Sequence, residues 1–412
     1  MSVQQRNDGE FAFCFYPGNA VTFFCQIGAL LRDRGCRVTR INLCVGDWLY
    51  WSGECSLSYR GRYADWSTFI SEYFDQNAVT DLVLLGEQRR YHKEAVAVAQ
   101  TRGIRVTVND FGYLRPDWIT LEEDGMGGNS HFPRDPADIL KQSANIGSVN
   151  LAQRYRDSAF NMMRADLLYN FSNLLFGWLY PHYRRTDYRP HTLIYTISSA
   201  KQHALTRLRR DKNRRRVERL IKSGQRYFIL PLQLDHDFQI VTYSPFSGMK
   251  EVIRLTIDSF ARLSEIDQRL IVKVHPWDTG LVNWSKVVRL TADEFGVRDR
   301  VEYIDGGNLD DLARHATGMV TVNSTSGLHA LQVGCPVKVL GQAVYDVPGL
   351  TFQGALDAFW QLNEAPDVDL LMAFINLMAE TIQIRGVFFN EPGCADAANA
   401  AANKLARGLA FT

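Results

Sequence analysis

Several stretches place side chains able to do chemistry directly after short apolar runs. Leu270–Val274 ends in His275-Pro276. A histidine before proline sits on a stiff, extended backbone. Its ring could be held toward a phosphate or a nucleotide hydroxyl; a structural bond within a loop is the plainer reading. Met319–Val322 runs into Asn323-Ser324-Thr325-Ser326-Gly327, and an apolar helical stretch starts near Leu328. Hydroxyls, backbone N–H groups and a helix N-terminus together make an anion site. Gly327 would let a phosphate approach the backbone closely, although ordinary Ser/Thr capping is also open. Tyr227–Leu232 leads into Gln233, Asp237 and Gln239. The glutamines could read a base or sugar edge, and Asp237 could take a ribose or acceptor hydroxyl. The alternative is a polar loop.

The first third of the chain offers carboxylates instead. Arg105–Val108 is followed by Asn109-Asp110-Phe111-Gly112-Tyr113, then by Arg115, Asp117 and Glu122. A carboxylate at a strand end beside Gly-Tyr can act as nucleophile or base. The planar fork of Arg115 suits a substrate carboxylate. Asp117 and Glu122 are further candidates, and each of these groups could equally be a salt bridge or a cap. After Asp81–Leu85, Gly86-Glu87-Gln88-Arg89-Arg90-Tyr91-His92 adds another polar edge.

The elements that must hold these residues alternate. Phe11–Phe15 reads as a strand stopped by Pro17-Gly18, with Asn19 able to cap a helix running to about Arg34. Val38–Leu43 is the next strand, and Tyr63–Gln76 has helical spacing. Asp81–Leu85, a helix Tyr91–Arg102 and Arg105–Val108 complete the first series. Residues 136 to about 222 look mainly helical. Strands Tyr227–Leu232, Leu270–Val274, Val301–Ile304, Met319–Val322 and Val337–Leu340 resume the alternation. Repeated β-α-β units imply parallel sheets covered by helices. The expected organisation is a Rossmann-like domain over 1–190 and a basic helical linker over 191–226. A second Rossmann-like domain over 227–370 and a helical tail over 371–412 follow. No G-x-G-x-x-G fingerprint is present, which disfavours a dehydrogenase. Two such domains facing a central cleft suit a sugar-nucleotide enzyme of the GT-B type. Ligands of open α/β sheets sit outside the carboxyl ends of the strands, where the polar groups above fall.

Composition removes other classes. The chain has 412 residues, 46% hydrophobic and 22% charged, and a net charge of +1. That is a globular balance with no bulk basicity for nucleic acid. Seven cysteines, an odd number without a C-x-x-C pair, read as buried small hydrophobes rather than a disulfide scaffold or zinc site. The start of the chain lacks the basic-then-apolar pattern of a signal peptide. The most apolar stretch, Leu167–Pro181, is too short to span a membrane and carries Asn170, Ser172 and Asn173. From Lys201 to Arg226, eleven Lys or Arg stand against Asp211 and Glu218. This segment is either a solvated interdomain helix or a surface for anionic lipid. On the second reading Arg207, Arg209, Arg210, Arg214, Arg215 and Arg216 would face the lipid.

At these motifs the sequence resembles the capsule polysaccharide biosynthesis proteins of the KpsS/LipB type, related to KpsC. The carrying segments include FYPGNAVTFFCQIGALLRDRGCRV, TDLVLLGEQRRYH, YLRPDWITLEEDGMGGNSHFPRDP, PLQLDHDFQI, VKVHPWDTG and VNSTSGLHALQVGCPVKVLG. They run from about residue 15 to 341. Three places depart from the family's pattern. Asp110-Phe111-Gly112-Tyr113 stands where Glu-x-Gly-Tyr is common, Gly125-Met126-Gly127-Gly128-Asn129 replaces Gly-Val-Asn-Gly, and Gly86-Glu87 replaces Gly-Asp.

The resemblance implies a retaining β-Kdo transferase. It would use CMP-β-Kdo to place the first Kdo on a phosphatidylglycerol-type lipid, at the start of a Gram-negative capsule linker. It implies Asp110 as nucleophile, with Glu122 as the alternative or as the base. His275, Pro276, Asn323 and Ser324–Gly327 (Ser324, Thr325, Ser326, Gly327) would hold the CMP phosphate. Gln233 and Asp237 would hold cytidine or ribose, and Arg115 the Kdo carboxylate. No cofactor or metal is expected. The expected location is cytoplasmic, peripheral on the inner face of the cytoplasmic membrane. A KpsC-type transferase and a capsule ABC exporter are the expected partners, and nucleic acid is not. A non-catalytic assembly or export scaffold, and another CMP- or UDP-sugar enzyme of the same fold, are the competing readings.

Overall fold

A computed structural model describes residues 11–16, 22–53, 55–185, 189–235 and 237–407. Strands β1 (Ala12–Tyr16), β2 (Arg37–Asn42) and β3 (Ser56–Ser58) alternate with helices α1 (Phe23–Asp33) and α2 (Val45–Tyr50). Then come α3 (Trp66–Gln76), β4 (Asp81–Leu85), α4 (Arg90–Thr101), β5 (Arg105–Phe111) and β6 (Trp118–Glu123). Three helices follow, α5 (Pro136–Ser143), α6 (Ala159–Phe176) and α7 (Thr192–Lys222). The second series is β7 (Tyr227–Pro231), α8 (Phe238–Val241), α9 (Met249–Leu263), β8 (Arg269–Lys273), α10 (Trp284–Glu294) and β9 (Val301–Ile304). It continues with α11 (Leu309–Arg314), β10 (Gly318–Thr321), α12 (Thr325–Gln332), β11 (Val337–Val339) and α13 (Leu356–Phe359). The chain closes with α14 (Val368–Thr381), β12 (Gln383–Arg385) and α15 (Gly393–Arg407).

The α/β class with two Rossmann-like units is as the sequence predicts. The first sheet has the order β12-β6-β5-β4-β1-β2-β3, and the second β11-β10-β7-β8-β9. All pairs in the second sheet are parallel. In the first sheet β5–β6 and β6–β12 are antiparallel. Strands β1, β4 and β7 are buried along their whole length and are mainly apolar, as strands of a covered parallel sheet are.

The chain divides into two compact units, 1–132 with 146–187 and 375–412, and 133–145 with 188–374. The boundaries expected at 190 and 370 lie within a few residues of the divisions after 187 and 374, whereas none falls at 226, and 133–145 joins the second unit. The basic segment is no separate linker: it is the greater part of the single 31-residue helix α7 and belongs to the second unit. Nor is the tail purely helical. It adds β12 to β6, and α15 lays Ala397, Ala398, Ala401, Ala402 and Leu405 into the first core. Alanines let α15 come close to α1, whose Phe23, Phe24, Ile27 and Leu31 form one face at helical spacing. The second core gathers Phe228, Leu230, Ile253, Phe260 and Trp360.

The Pro17-Gly18 stop, the Asn19 cap and His236 lie outside the described residues. Of the seven cysteines none is in a disulfide, and five are buried. Among the described residues no helix is long and apolar enough to cross a membrane.

Candidate active site

In the first unit the sequence places Asp110 and Glu122 in a polar segment beyond a strand end. The structure corrects this. β5 continues through Phe111 and returns as β6, so Asp110 lies within β5 and Glu122 within β6. In the register Asp110 opposes Thr120, and Val108 opposes Glu122. Side chains directly opposite share a face, so Asp110 and Glu122 project from the same side of the hairpin. As diagonal neighbours their Cα atoms are roughly 7–8 Å apart. The opposite side carries Ile119 and Leu121 into the core with Phe111 packed against them.

Around Glu122 a buried polar cluster forms. The Ser130 hydroxyl donates to Glu122 Oε2, and the Tyr113 hydroxyl donates to the same carboxylate. The Gly127 N–H donates to the Tyr113 oxygen at 2.6 Å. Burial first, and the Glu122 charge second, push the Tyr113 hydroxyl well above its ordinary range. Glu87, 3% exposed, takes the Met126 N–H at 3.4 Å and Asn129 Nδ2 at 3.3 Å. Thus the loop 125–130, singled out only as a departure from the family pattern, ties two buried carboxylates together. The sequence offers Glu87 only as part of a polar edge, two residues past the buried end of β4.

Asp110 is half-buried. Desolvation raises its carboxyl above the ordinary 3.8, while hydrogen bonding from the Phe111 N–H (2.7 Å) and the charges of Arg89 and Arg115 pull it back. Arg115 is exposed, with its guanidinium 5.2 Å from the Phe111 ring centre. Asp117 has a structural role: it is fully buried, bonds Arg385 at 2.8 Å, and accepts the Arg154 and Tyr155 N–H groups. It fastens β12 and the segment before α6.

In the second unit β10, β7 and β8 are neighbours and parallel. Asn323, Gln233 and His275 therefore come to one edge of the sheet. Gln233 Nε2 donates to Asn323 Oδ1 at 3.0 Å, and the Asn323 N–H donates to Gln233 Oε1 at 3.3 Å. Asn323 Nδ2 also donates to the carbonyls of Gln239 (2.7 Å) and Tyr243 (3.3 Å). Both ends of the Gln233 amide are engaged in joining two loops, against its expected role in reading cytidine. Asp237 caps α8 through the Gln239 N–H at 3.0 Å.

His275 Nδ1 accepts the Trp277 N–H at 3.1 Å, which leaves Nε2 as the protonated nitrogen of the neutral ring. Pro276 is exposed beside it. Ser324 caps α12 and receives the Ser326 hydroxyl at 2.8 Å, with Thr325 as the first helical residue. Gly327 has a different reason from the expected one. A Cβ there would stand 2.3 Å from the Tyr345 hydroxyl, which itself donates to the Ser324 carbonyl. Tyrosine packing, not phosphate approach, occupies that space.

The arginines of α7 are not equivalent. Arg207, Arg209, Arg210, Arg214 and Arg215 are exposed, whereas Arg216 pairs with Glu302 on β9. Arg209 instead lines a cavity of about 230 Å³ with Lys201, Asp278, Trp284, Tyr303 and Asp305. Sequence patterns carried no sign of this cavity, because it needs α7 laid beside the ends of β8 and β9.

Residues 80–389 match the family described as "Capsule polysaccharide biosynthesis protein". The chain belongs to that family. The resemblance read from its motifs is thereby borne out. The "Capsule polysaccharide export protein KpsS" of Escherichia coli is 29% identical over 372 residues, 89% of this chain and 94% of the relative. The "Capsule polysaccharide modification protein LipB" of Neisseria meningitidis serogroup A is 29% identical over 383 residues, 90% of this chain and 89% of the relative. Among solved structures, "Thermosulfurimonas dismutans KpsC, beta Kdo 2,7 transferase" is 12% identical and covers 96% of this chain and 98% of its own, with a TM-score of 0.47. A likeness that loose carries no argument about chemistry.

Proposed function

We propose that this capsule biosynthesis protein is a retaining β-Kdo transferase. It takes Kdo from CMP-β-Kdo and adds it to a phosphatidylglycerol-type lipid at the inner face of the cytoplasmic membrane. A KpsC-type transferase and a capsule exporter would act on the product. The observation that carries the reading is the β5–β6 face: Asp110 and Glu122 on one side, with Tyr113 and Ser130 bonded to the second carboxylate and Glu87 holding the loop that bears Ser130. Transfer with retention needs two groups of this kind, one to attack and one to move a proton.

In the proposed course Asp110 attacks C2 of Kdo. The bond from C2 to the phosphate oxygen breaks, and CMP leaves with the bonding pair. The acceptor hydroxyl oxygen then attacks C2, the bond to Asp110 breaks, and the hydroxyl proton passes to Glu122. His275 and the start of α12 would stabilise charge on the departing phosphate. Arg115 would hold the Kdo carboxylate.

The test is transfer of Kdo from CMP-Kdo, generated in situ, to a fluorescent phosphatidylglycerol, followed by mass spectrometry. One added Kdo is the expected product. CMP bound in calorimetry without product would point to another donor or acceptor. A second reading, an assembly scaffold without catalysis, is favoured by one observation: Gln233, Asp237 and Gly327 are all occupied with internal contacts. Absence of both CMP binding and product would decide for it.

A further inference from the structure

We propose that the outward face of α6, with α2 beside it, is the surface by which this protein lies on an anionic lipid bilayer. An ordinary surface helix turns its apolar residues inward and its polar ones to water. α6 does the reverse. Asn161, Ala165, Tyr169 and Asn173, spaced by four, hold it to the first unit through polar contacts. Asn161 Nδ2 donates to the Phe389 carbonyl at 2.9 Å, and Tyr50 donates to the Ala165 carbonyl at 3.2 Å. The Tyr169 hydroxyl donates to Asp47 at 3.0 Å, and the Gly46 N–H donates to Asn173 at 2.9 Å.

What α6 shows to solvent is apolar apart from Arg164. Phe160 is 66% exposed, Leu175 65% and Trp178, just past the helix, 72%. Met163, Leu168, Leu174 and Phe176 are exposed as well, and so are Trp48 and Leu49 of the adjoining α2. No residue of α6 is fully buried. An exposed apolar face of this size marks an interaction site.

The charge around it selects the occupant. From residue 151 to 185 there are five Arg and two Asp, with no Lys or Glu, while the whole chain is only +1. Arg164 lies within α6, and Arg184 and Arg185 follow Trp178. A second copy would bring to this face the same excess of arginine over acid. An anionic headgroup layer complements them. The 18 residues of α6 would lie flat over about 27 Å, apolar side in the acyl boundary, Trp48 and Trp178 at the interface and arginines among phosphates. The surface does not depend on which sugar is transferred.

The experiment is flotation of the full-length protein with phosphatidylglycerol–phosphatidylcholine vesicles and with phosphatidylcholine alone. Binding to the mixed vesicles is expected. The double variant Leu175→Ser/Trp178→Ser should lose at least ~10-fold in partition with unchanged circular dichroism, because both side chains are exposed. Brominated acyl chains should quench wild-type tryptophan fluorescence, and Trp178→Phe should lose part of that quenching. The second readout stands even if the double variant folds poorly. Wild-type protein that floats with neither vesicle, or a double variant that floats as wild type does, overturns the proposal. So does a wild-type dimer that the double variant disperses, which would make a second copy the occupant. Loss of binding on reversing the α7 arginines, with the α6 variant still bound, would move the site to α7. Vesicle binding without Kdo transfer would leave this surface standing and overturn the proposed transfer alone.

Discussion

Asp110, the proposed nucleophile, is a residue whose burial is costly to the fold. Burial holds its carboxyl above the ordinary 3.8, so the folded chain binds a proton more tightly there than the unfolded chain does. The sign follows from linkage. Below the unfolded value both states are protonated and the group costs nothing. As pH rises from there through the folded value, the unfolded chain ionises more readily and stability falls. Asp110→Asn should therefore abolish transfer and leave thermal stability at neutral pH equal or higher. Its advantage over wild type should shrink as pH falls below the carboxylate range. Melting curves of both proteins across pH check this, and a D110N enzyme with normal turnover would remove Asp110 from the mechanism. The same shift places the acid limb of the wild-type rate profile above that of an exposed aspartate. At Gly327 the expectation concerns space. Gly327→Ala should lower stability by about 1–3 kcal/mol, since Tyr345 must move. Denaturant unfolding together with CMP calorimetry separates the causes: lost CMP affinity at unchanged stability would return Gly327 to phosphate binding.

Between elements, the Gln233–Asn323 pair does more than either loop could alone. It joins the ends of β7 and β10, and Asn323 also takes the Gln239 and Tyr243 carbonyls. Gln233→Ala leaves buried Asn323 groups without their partner, at about 1–3 kcal/mol. Asn323→Ala should cost more, because two carbonyls lose their donor as well. Urea denaturation of the two variants tests the order; equal losses would mean that the carbonyl contacts contribute little. The β5–β6 hairpin is the other decisive element. Gly112 sits where a Cβ would come within 2.4 Å of the Trp118 carbonyl, so the return can be tight. That return brings Glu122 back beside Asp110.

For the whole molecule the C-terminal segment is part of the first unit's core. Arg34 and Arg105 reach the carbonyls of Ala402 and Leu405 at 3.1 and 3.0 Å. A chain ending at residue 381 would lack β12 and α15 and expose Phe13, Phe15, Ile27 and Leu31. It should fail to accumulate as soluble protein, as expression and light scattering would show; a soluble, cooperatively melting truncation would contradict this packing. Much of the framework was legible without coordinates. Asp81–Leu85 and Val301–Ile304 match their strands residue for residue, because each places apolar residues at core positions between polar or turn-forming flanks. The Asp110 and Glu122 candidates were legible by residue type, and the family by its motifs. β6 and β12 were not. Trp118–Glu123 carries two carboxylates and breaks the apolar pattern, and Gln383–Arg385 is three residues whose strand exists only through a partner more than 250 residues earlier. Sequence by itself determined the alternating framework and the chemical types at the strand ends, since local burial writes those into the residue pattern. Only tertiary structure decided that Asp110 and Glu122 share a face, that Asp117, Gln233 and Gly327 serve internal contacts, and that α6 turns its apolar side outward. Each depends on which distant backbone lies opposite, and a one-dimensional pattern does not contain that.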